Sequence, residues 1–154
     1  MKQEFLRRTP IFSTLDDEEL AQVIVIGRVV SFGAEQSVFK EGDPGNAFYL
    51  VEEGAVRISR MTPLGEEALS ILREGTFFGE MALLDDTPRS ADAKAHEGPA
   101  KLIEFRVPEL KALMERQSAL ACKMLWAVSR TLSARLRDTN ERFQSLFLMT
   151  ATFK

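Results

Sequence analysis

Residues 77–91 of this 154-residue chain have the sequence FFGEMALLDDTPRSA and separate two segments that favour β-structure. Gly79 permits a close approach of the backbone. Residues 80–84 are mainly good helix formers, which predicts a single helical turn. The unpaired amide groups at the start of such a turn favour an anion. This segment therefore predicts a small anion-binding loop between two strands.

Three polar side chains add further chemistry to this loop. Arg89 follows a proline that stiffens its approach, and a guanidinium can hold a phosphate through two parallel hydrogen bonds. Ser90 adds a hydroxyl beside it. The carboxylate of Glu80 accepts hydrogen bonds, so it suits a sugar hydroxyl while it repels free phosphate. A phosphate at one end and a sugar at the other predict a nucleotide.

Short β-prone segments, broken by Gly, Pro, Asp and Asn, lie on both sides of the loop. The predicted strands are 29–32, 37–40, 48–51, 55–60, 68–72, 91–95 and 101–105. Many short strands at this spacing indicate a closed or rolled sheet. Before them, a capping box formed by Asp16 and Glu19 predicts a helix that ends at about Ile26.

From Pro108 the apolar residues recur with a helical period, and a longer helix follows. Its predicted apolar stripe is Leu125, Val128, Leu132, Leu136, Thr139, Phe143 and Leu146. The large apolar residues after this stripe are expected to cover another surface; they are Phe147, Leu148, Met149 and Phe153. Lone Cys122, in the same helical stretch, is expected to be a buried thiol.

These elements predict an α+β fold. An antiparallel β-roll, jelly-roll-like and of the double-stranded β-helix type, is expected between an N-terminal helix and C-terminal helices. We expect a single domain over residues 1–154, with a helical part at 1–27, the roll at 28–106 and helices at 107–154. The loop at 77–91 is expected to be the site of this domain.

Composition excludes several classes of function. Twenty Lys and Arg against 23 Asp and Glu give a net charge of −3, so neither nucleic acid nor a membrane is expected as a direct partner. A single cysteine and the lack of an apolar run of about 20 residues favour a cytoplasmic protein. His96 is the one histidine. Because no metal-ligand cluster, acid–base pair or activated nucleophile is present, we expect no metal and no enzyme.

The site segment resembles a known family. The sequence FGEMALL at 78–84, followed by PRSA at 88–91, is similar to the phosphate-binding cassette of cyclic nucleotide-binding domains. That family includes the catabolite activator protein, protein kinase A regulatory subunits and cyclic-nucleotide-gated channels. The upstream sequence FKEGDPG at 39–45, with Tyr49, Leu50, Gly54 and Val56, is also similar to the family's glycine-punctuated strands.

The resemblance implies a role for each matching residue. Glu80 would bind the ribose 2′-hydroxyl and Arg89 the cyclic phosphate, with Ser90 beside that phosphate. The backbone and wall of the site would come from Phe78, Gly79, Met81, Ala82 and Ala91. A hydroxyl at position 90 can accommodate cGMP but also occurs in cAMP receptors, so the base stays open, with cAMP expected in preference. The residues nearest the base, forming a lid, would be Arg130, Thr131, Ala134 and Arg135.

Several alternatives remain open from sequence. The C-terminal stripe is expected to pack over its own roll, to pair with a second copy as a homodimer, or to do both. The chain could also be a dimerisation or docking module of the same fold without a ligand. A third alternative is the sensor half of a transcription regulator without its DNA-binding domain. A cupin-like metalloenzyme would share the rolled sheet, but one histidine argues against it.

Overall fold

A computed structural model of the chain describes residues 3–85 and 87–151. Within them, the strands are β1 (Gly27–Phe32), β2 (Ser37–Phe39), β3 (Ala47–Glu53), β4 (Ala55–Thr62), β5 (Gly65–Arg73), β6 (Phe77–Phe78), β7 (Asp92–Ala95) and β8 (Ala100–Arg106). The helices are α1 (Gln3–Arg7), α2 (Asp17–Ile26), α3 (Met81–Leu84), α4 (Val107–Arg116) and α5 (Ser118–Ala151).

The strands form two four-stranded sheets with antiparallel pairing. The strand order is β1-β8-β3-β6 in one sheet and β2-β7-β4-β5 in the other. Apart from the β4–β5 hairpin, consecutive strands lie in different sheets, as expected for a rolled sheet flanked by helices, and the predicted α+β class is confirmed. The site segment leaves the first sheet at β6 and enters the second at β7, so it bridges the two sheets at one end of the roll.

The predicted helix before the roll is confirmed together with its cap. The Asp16 carboxylate accepts a hydrogen bond from the Glu19 amide at 2.9 Å, and the Glu19 carboxylate accepts one from the Asp16 amide at 2.9 Å. This capping box stabilises the first turn of α2 because it satisfies two amides that lack intrahelical partners.

All seven predicted strands are present, with bounds that differ by one to three residues. Strand β6 was missed because it has two residues, too few for a detectable period. It exists through pairing with β3, in which Tyr49 faces Phe78 and Leu50 faces Phe77. Helix α1, of five residues, was also missed.

Strand β3 separates two hydrophobic clusters. Phe48 and Leu50 belong to a cluster that the helices share with the first sheet, whereas Tyr49 and Val51 belong to a cluster shared by both sheets. Side chains alternate between the two faces of a strand, which explains this division. Because both faces are covered, β3 lies at the centre of the fold and gives the site a rigid support.

The long helix α5 is only partly covered by the rest of the fold. Leu120, Met124 and Val128 are fully buried and lie four residues apart on one face. Cys122 lies on α5 between two of them and is exposed, so the predicted buried thiol is wrong. The helical period turns its side chain away from the core. No helix in the described part of the chain is both long and apolar enough to cross a membrane.

Candidate functional site

A cavity of about 150 Å³ lies against α3. It is lined by Phe39, Ile58, Leu72, residues 78–82, residues 87–91 and Arg135. All eight residues predicted to bind the ligand border this cavity: Phe78, Gly79, Glu80, Met81, Ala82, Arg89, Ser90 and Ala91. The structure therefore brings together residues from both ends of the site segment.

The predicted helical turn is present as α3, which begins one residue later than expected, at Met81. Glu80 precedes it with helical φ and ψ, and its carbonyl accepts a hydrogen bond from the Leu83 amide at 2.9 Å. Ala82 and Leu83 are buried, whereas Met81 is exposed. The turn therefore anchors itself through its inner face and leaves Met81 at the mouth of the cavity.

Arg89 is buried, with 7% of its surface exposed. Its guanidinium donates hydrogen bonds to the carbonyl oxygens of Ala47 and Gly79 and lies 4.2 Å from the centre of the Phe39 ring. Its Nε is buried and has no hydrogen-bond partner within the described residues. A cation is thus held in a fixed position while part of its donor capacity stays unused, which suits an anionic ligand.

Few carboxylates offset the burial of this cation. Burial lowers the pKa of Arg89 below its ordinary value, while Tyr49, Asp43 and Glu80 act in the opposite direction. Arginine stays protonated in proteins even so. A partly compensated buried cation gains more from a bound anion than a solvated one would.

Gly79 has a structural reason to be glycine. Its φ is +74°, and a Cβ built on it would lie 2.7 Å from Nη1 of Arg89. Any other residue would be strained in this conformation and would displace the guanidinium. Gly79 therefore supports the position of Arg89 by having no side chain.

The upstream glycine-rich segment holds the Arg89 backbone. The Arg89 amide donates to the Asp43 carbonyl, and the Gly42 amide donates to the Arg89 carbonyl, each at 2.9 Å. A Cβ at Gly45 would lie 2.6 Å from Cβ of Ala82. The segment 39–45 was predicted as strand and turn. In the fold its backbone also holds the backbone of Arg89 in place.

Glu80 is the second buried ionisable group of the cavity, with 3% of its surface exposed. Its Oε1 accepts a hydrogen bond from Nη1 of Arg135 at 2.7 Å. Its Oε2 is buried and has no partner among the residues described. One carboxylate oxygen is thus held while the other still has capacity to accept a hydrogen bond.

Of the four predicted lid residues, Arg135 borders the cavity. It follows buried Val128 by seven residues, about two helical turns, so it continues the covered face of α5. The other three, Arg130, Thr131 and Ala134, line a separate depression against residues 10–14. A role for these three in covering a base stays a prediction.

Sequence reasoning did not single out three apolar residues of the cavity wall. Phe39, Ile58 and Leu72 come from β2, β4 and β5, each from a predicted strand or its end. Strand alternation could have selected the inward-facing residues, but it does not show which strands meet around one cavity. Within the described residues, no group of three or more His, Cys, Asp or Glu side chains could hold a metal ion.

Comparison with known proteins identifies the family to which this fold and this cavity belong. The family model of the cyclic nucleotide-binding domain matches residues 29–117, more than half of the chain. The chain therefore belongs to the cyclic nucleotide-binding domain family, which is regulatory and not catalytic.

Relatives come from two kinds of regulator. A cAMP-dependent protein kinase regulatory subunit from Emericella nidulans is 40% identical over 95 residues, 62% of this chain and 23% of that protein. A Cyclic AMP receptor protein from Thermus thermophilus is 36% identical over 129 residues, 82% of this chain and 59% of that protein. The chain thus spans between about a quarter and three fifths of these two relatives.

One solved structure matches this chain over nearly the whole length of both proteins. It is the N-terminal domain of a transcriptional regulator from Streptomyces coelicolor, 34% identical, with a TM-score of 0.74. The match covers 90% of this chain and 94% of that one. The antiparallel roll with flanking helices is therefore a fold that experimental structures also show.

Proposed function

We propose that this domain binds a cyclic nucleotide in the cavity beside α3, with cAMP preferred over cGMP, and acts as a regulatory sensor. The observation that carries the proposal is the pair of buried ionisable side chains, Arg89 and Glu80, on one cavity. Each has a polar atom, Nε and Oε2 respectively, that lacks a partner among the described residues. Buried polar atoms are normally hydrogen-bonded, so a ligand with matching groups would complete the site.

The ligand groups are assigned by charge. The cyclic phosphate binds to the cationic guanidinium of Arg89, and the Ser90 hydroxyl lies beside it. The ribose 2′-hydroxyl donates to the carboxylate of Glu80, since a carboxylate accepts hydrogen bonds and repels an anion. Phe78, Gly79, Met81, Ala82 and Ala91 form the wall. The preference for cAMP is supported by the names of both curated relatives.

Transmission through α5 is part of the proposal. Arg135 of α5 donates to the Phe77 carbonyl at 2.6 Å and to Glu80 at 2.7 Å, so the helix is tied directly to the site. A ligand that changes these contacts changes the position of α5. For this to signal, one arrangement of α5 has to bind the ligand more tightly than the other, since equal affinity shifts nothing.

We also infer that residues 1–154 form one domain, because a single cluster joins Leu6, residues of the roll and Val128. A cytoplasmic location fits a chain that has one cysteine and hence no internal disulfide. We keep the division proposed from sequence: a helical part at 1–27, the roll at 28–106 and helices at 107–154.

Isothermal titration of cAMP and cGMP into protein that has been unfolded and refolded, to remove carried-over nucleotide, tests the proposal. We expect saturable heat with a stronger response to cAMP. A higher affinity for cGMP would overturn the base preference alone. If refolded protein with a cooperative thermal transition binds neither nucleotide, the sensor proposal is wrong and the docking-module alternative is favoured.

A second candidate function, homodimerisation through α5, is supported by the exposed apolar side chains on this helix. Leu125 is 40% and Leu136 61% exposed, and with the half-buried Leu132 they lie seven and four residues apart, on one face of the helix. A second copy would present the same spacing about a two-fold axis. These residues are therefore proposed to contact a second copy of this chain.

Sedimentation velocity over a range of concentrations tests dimerisation. We expect a dimer that Leu136→Glu converts to a monomer, because a charge would be buried at the interface. Ser145→Glu adds the same charge nine residues later, on the opposite side of the helix, and should leave the dimer intact. A monomeric wild-type chain, or equal effects of both substitutions, would refute this interface.

A further inference from the structure

A second concave surface lies between the turn at residues 10–14 and one face of α5. It is a depression of about 400 Å³, called the α5 groove below, and its helix side includes Trp126, Arg130 and Ala134. These side chains share one face because they are spaced three and four residues apart on the helix. None of the residues that line the α5 groove borders the cavity beside α3, so the two sites are separate.

The α5 groove contains an exposed aromatic side chain. Trp126 is the one tryptophan of the chain, and 68% of it is exposed, whereas tryptophan is highly buried on average. Arg130 lies one helical turn later, so the two side chains are neighbours on the helix surface. Tryptophan and arginine are among the residue types most enriched at the energetic centres of protein interfaces. This pair therefore has the composition of a protein-binding surface.

The charge of the α5 groove favours an anionic partner. No hydrogen bond or ion pair joins the Arg130 side chain to another residue in the described part of the chain, and no acidic residue lies three or four positions from it along the helix. Lys123, the other cation that lines the groove, already pairs with Glu19 at 2.6 Å. Neither Asp nor Glu is among the described residues of the lining. Arg130 is thus a cation that only a group from outside the groove can neutralise.

The proposed homodimer would leave the α5 groove open. Leu125, Leu132 and Leu136 lie on another face of α5, since Arg130 follows Leu125 by five residues, about 140° around the axis at 3.6 residues per turn. A second copy that packs on these leucines does not cover Arg130. The α5 groove therefore stays available to a different partner.

The shape and the hydrogen-bonding groups of the α5 groove suit a polypeptide segment. A depression between a turn and a helix admits a side chain and its backbone, whereas a flat membrane surface reaches only a convex face. Ser13 and Thr14 are exposed in the lining, and their hydroxyls can donate to and accept from a peptide backbone. A carboxylate can pair with Arg130 through two parallel hydrogen bonds, and a large apolar side chain can cover the indole of Trp126.

We propose that the α5 groove binds an acidic segment of a partner protein, with a carboxylate of that segment on Arg130 and a large apolar side chain of it on Trp126. This inference goes beyond the proposed function. It does not depend on nucleotide binding, because no residue of the cavity beside α3 takes part.

Peptide selection with a fluorescence measurement tests the proposal. A library of random displayed peptides is selected on the full chain, and binders without tryptophan are synthesised. Trp126 is the one tryptophan of the protein, so its emission reports on the α5 groove directly. We expect selected sequences rich in Asp and Glu around Phe or Leu, and these peptides should shift the Trp126 emission to shorter wavelength, because the exposed indole leaves water. Their affinity should fall as the salt concentration rises.

Two pairs of variants locate the binding. Arg130→Glu should weaken binding about 10- to 150-fold, the loss of one charge-assisted contact. Arg73→Glu is its control, since Arg73 is exposed at the end of β5 and the net charge changes equally. Trp126→Ala, measured by calorimetry, should also weaken binding. Its control is Leu64→Ala, because Leu64 is fully exposed between β4 and β5. Both controls should bind like the wild type.

Several results would overturn the proposal. They are a selection that yields no binders, selected sequences without an acidic bias, peptides that leave the Trp126 emission unchanged, and equal affinity for the wild type and Arg130→Glu. An emission shift with protein concentration alone, abolished in Arg130→Glu, would assign the α5 groove to a second copy. A shift with vesicles of phosphatidylglycerol and phosphatidylcholine would assign it to a membrane, and either result refutes a peptide partner. Thermal melting shows that each variant is folded; if Arg130→Glu is not, Arg130→Gln gives the same comparison.

Discussion

Replacement of Arg89 by alanine removes the cation at the centre of the site. In the structure its guanidinium donates to two carbonyl oxygens, of Ala47 and Gly79, and lies over the ring of Phe39. The proposed phosphate would add a charge-assisted contact. A hydrogen bond to a charged group contributes about 1.5–3 kcal/mol, so the affinity for the cyclic nucleotide should fall about 10- to 150-fold or more.

The same substitution also affects stability. The buried carbonyl oxygen of Ala47 and the half-buried one of Gly79 lose their donor, and an unsatisfied buried group costs about 1–3 kcal/mol. Arg89→Lys separates the two effects because it keeps the charge but cannot donate through a planar fork. We expect lysine to retain more of the affinity than alanine, while the free energy of unfolding without ligand falls in both variants.

Calorimetric titration measures the affinity, and denaturant unfolding without ligand measures the stability. Arg28→Ala is the matched control: Arg28 forms an exposed ion pair with Glu109 at 2.7 Å, away from the cavity, so both quantities should stay within a few tenths of a kcal/mol of the wild type. A folded Arg89→Ala protein with wild-type affinity would refute the assignment of Arg89 to the phosphate.

Two further predictions concern residues that surround the site. Gly45→Ala places a Cβ 2.6 Å from that of Ala82, so the free energy of unfolding should fall by about 1–3 kcal/mol. Gly33→Ala is the control: the nearest atom to its new Cβ would be 3.6 Å away, so its free energy of unfolding should change little. Burial, with a smaller effect from Glu104, raises the pKa of Tyr49 to about 12, so tyrosinate absorbance should rise near that pH. The associated stability is full below about pH 10 and is lost as the pH rises toward 12; an absorbance midpoint near 10 in folded protein would contradict this.

Much of the fold follows from local signals in the sequence. The capping box at Asp16 predicted the start of α2 because both partners lie within four residues. The strands were predicted because turn residues separate them, and their bounds needed only small changes. Strand β6 could not be predicted in this way, since its two residues become a strand only by pairing with β3.

The cassette residues were identifiable from sequence because they are contiguous: residues 78–91 carry the glycine, the carboxylate and the arginine together. Their support came only from the fold. Arg89 is held by backbone groups of Gly42, Asp43 and Ala47, and Gly79 is required by the position of the guanidinium. The spacing along the chain contains no information on these contacts between separate strands.

Residue types in sequence order thus determined the roll, the helices and the chemistry of the loop, because these depend on neighbours along the chain. The tertiary fold determined which residue of α5 meets that loop. Leu120, Met124 and Val128 are buried in the core. This orientation brings Arg135 to Glu80, while Arg130, Thr131 and Ala134 lie elsewhere. The rotation of α5 about its axis decides which of these four side chains reaches the loop. That rotation depends on how the helix packs in the cluster that α4, the other helices and the first sheet form, and not on local sequence.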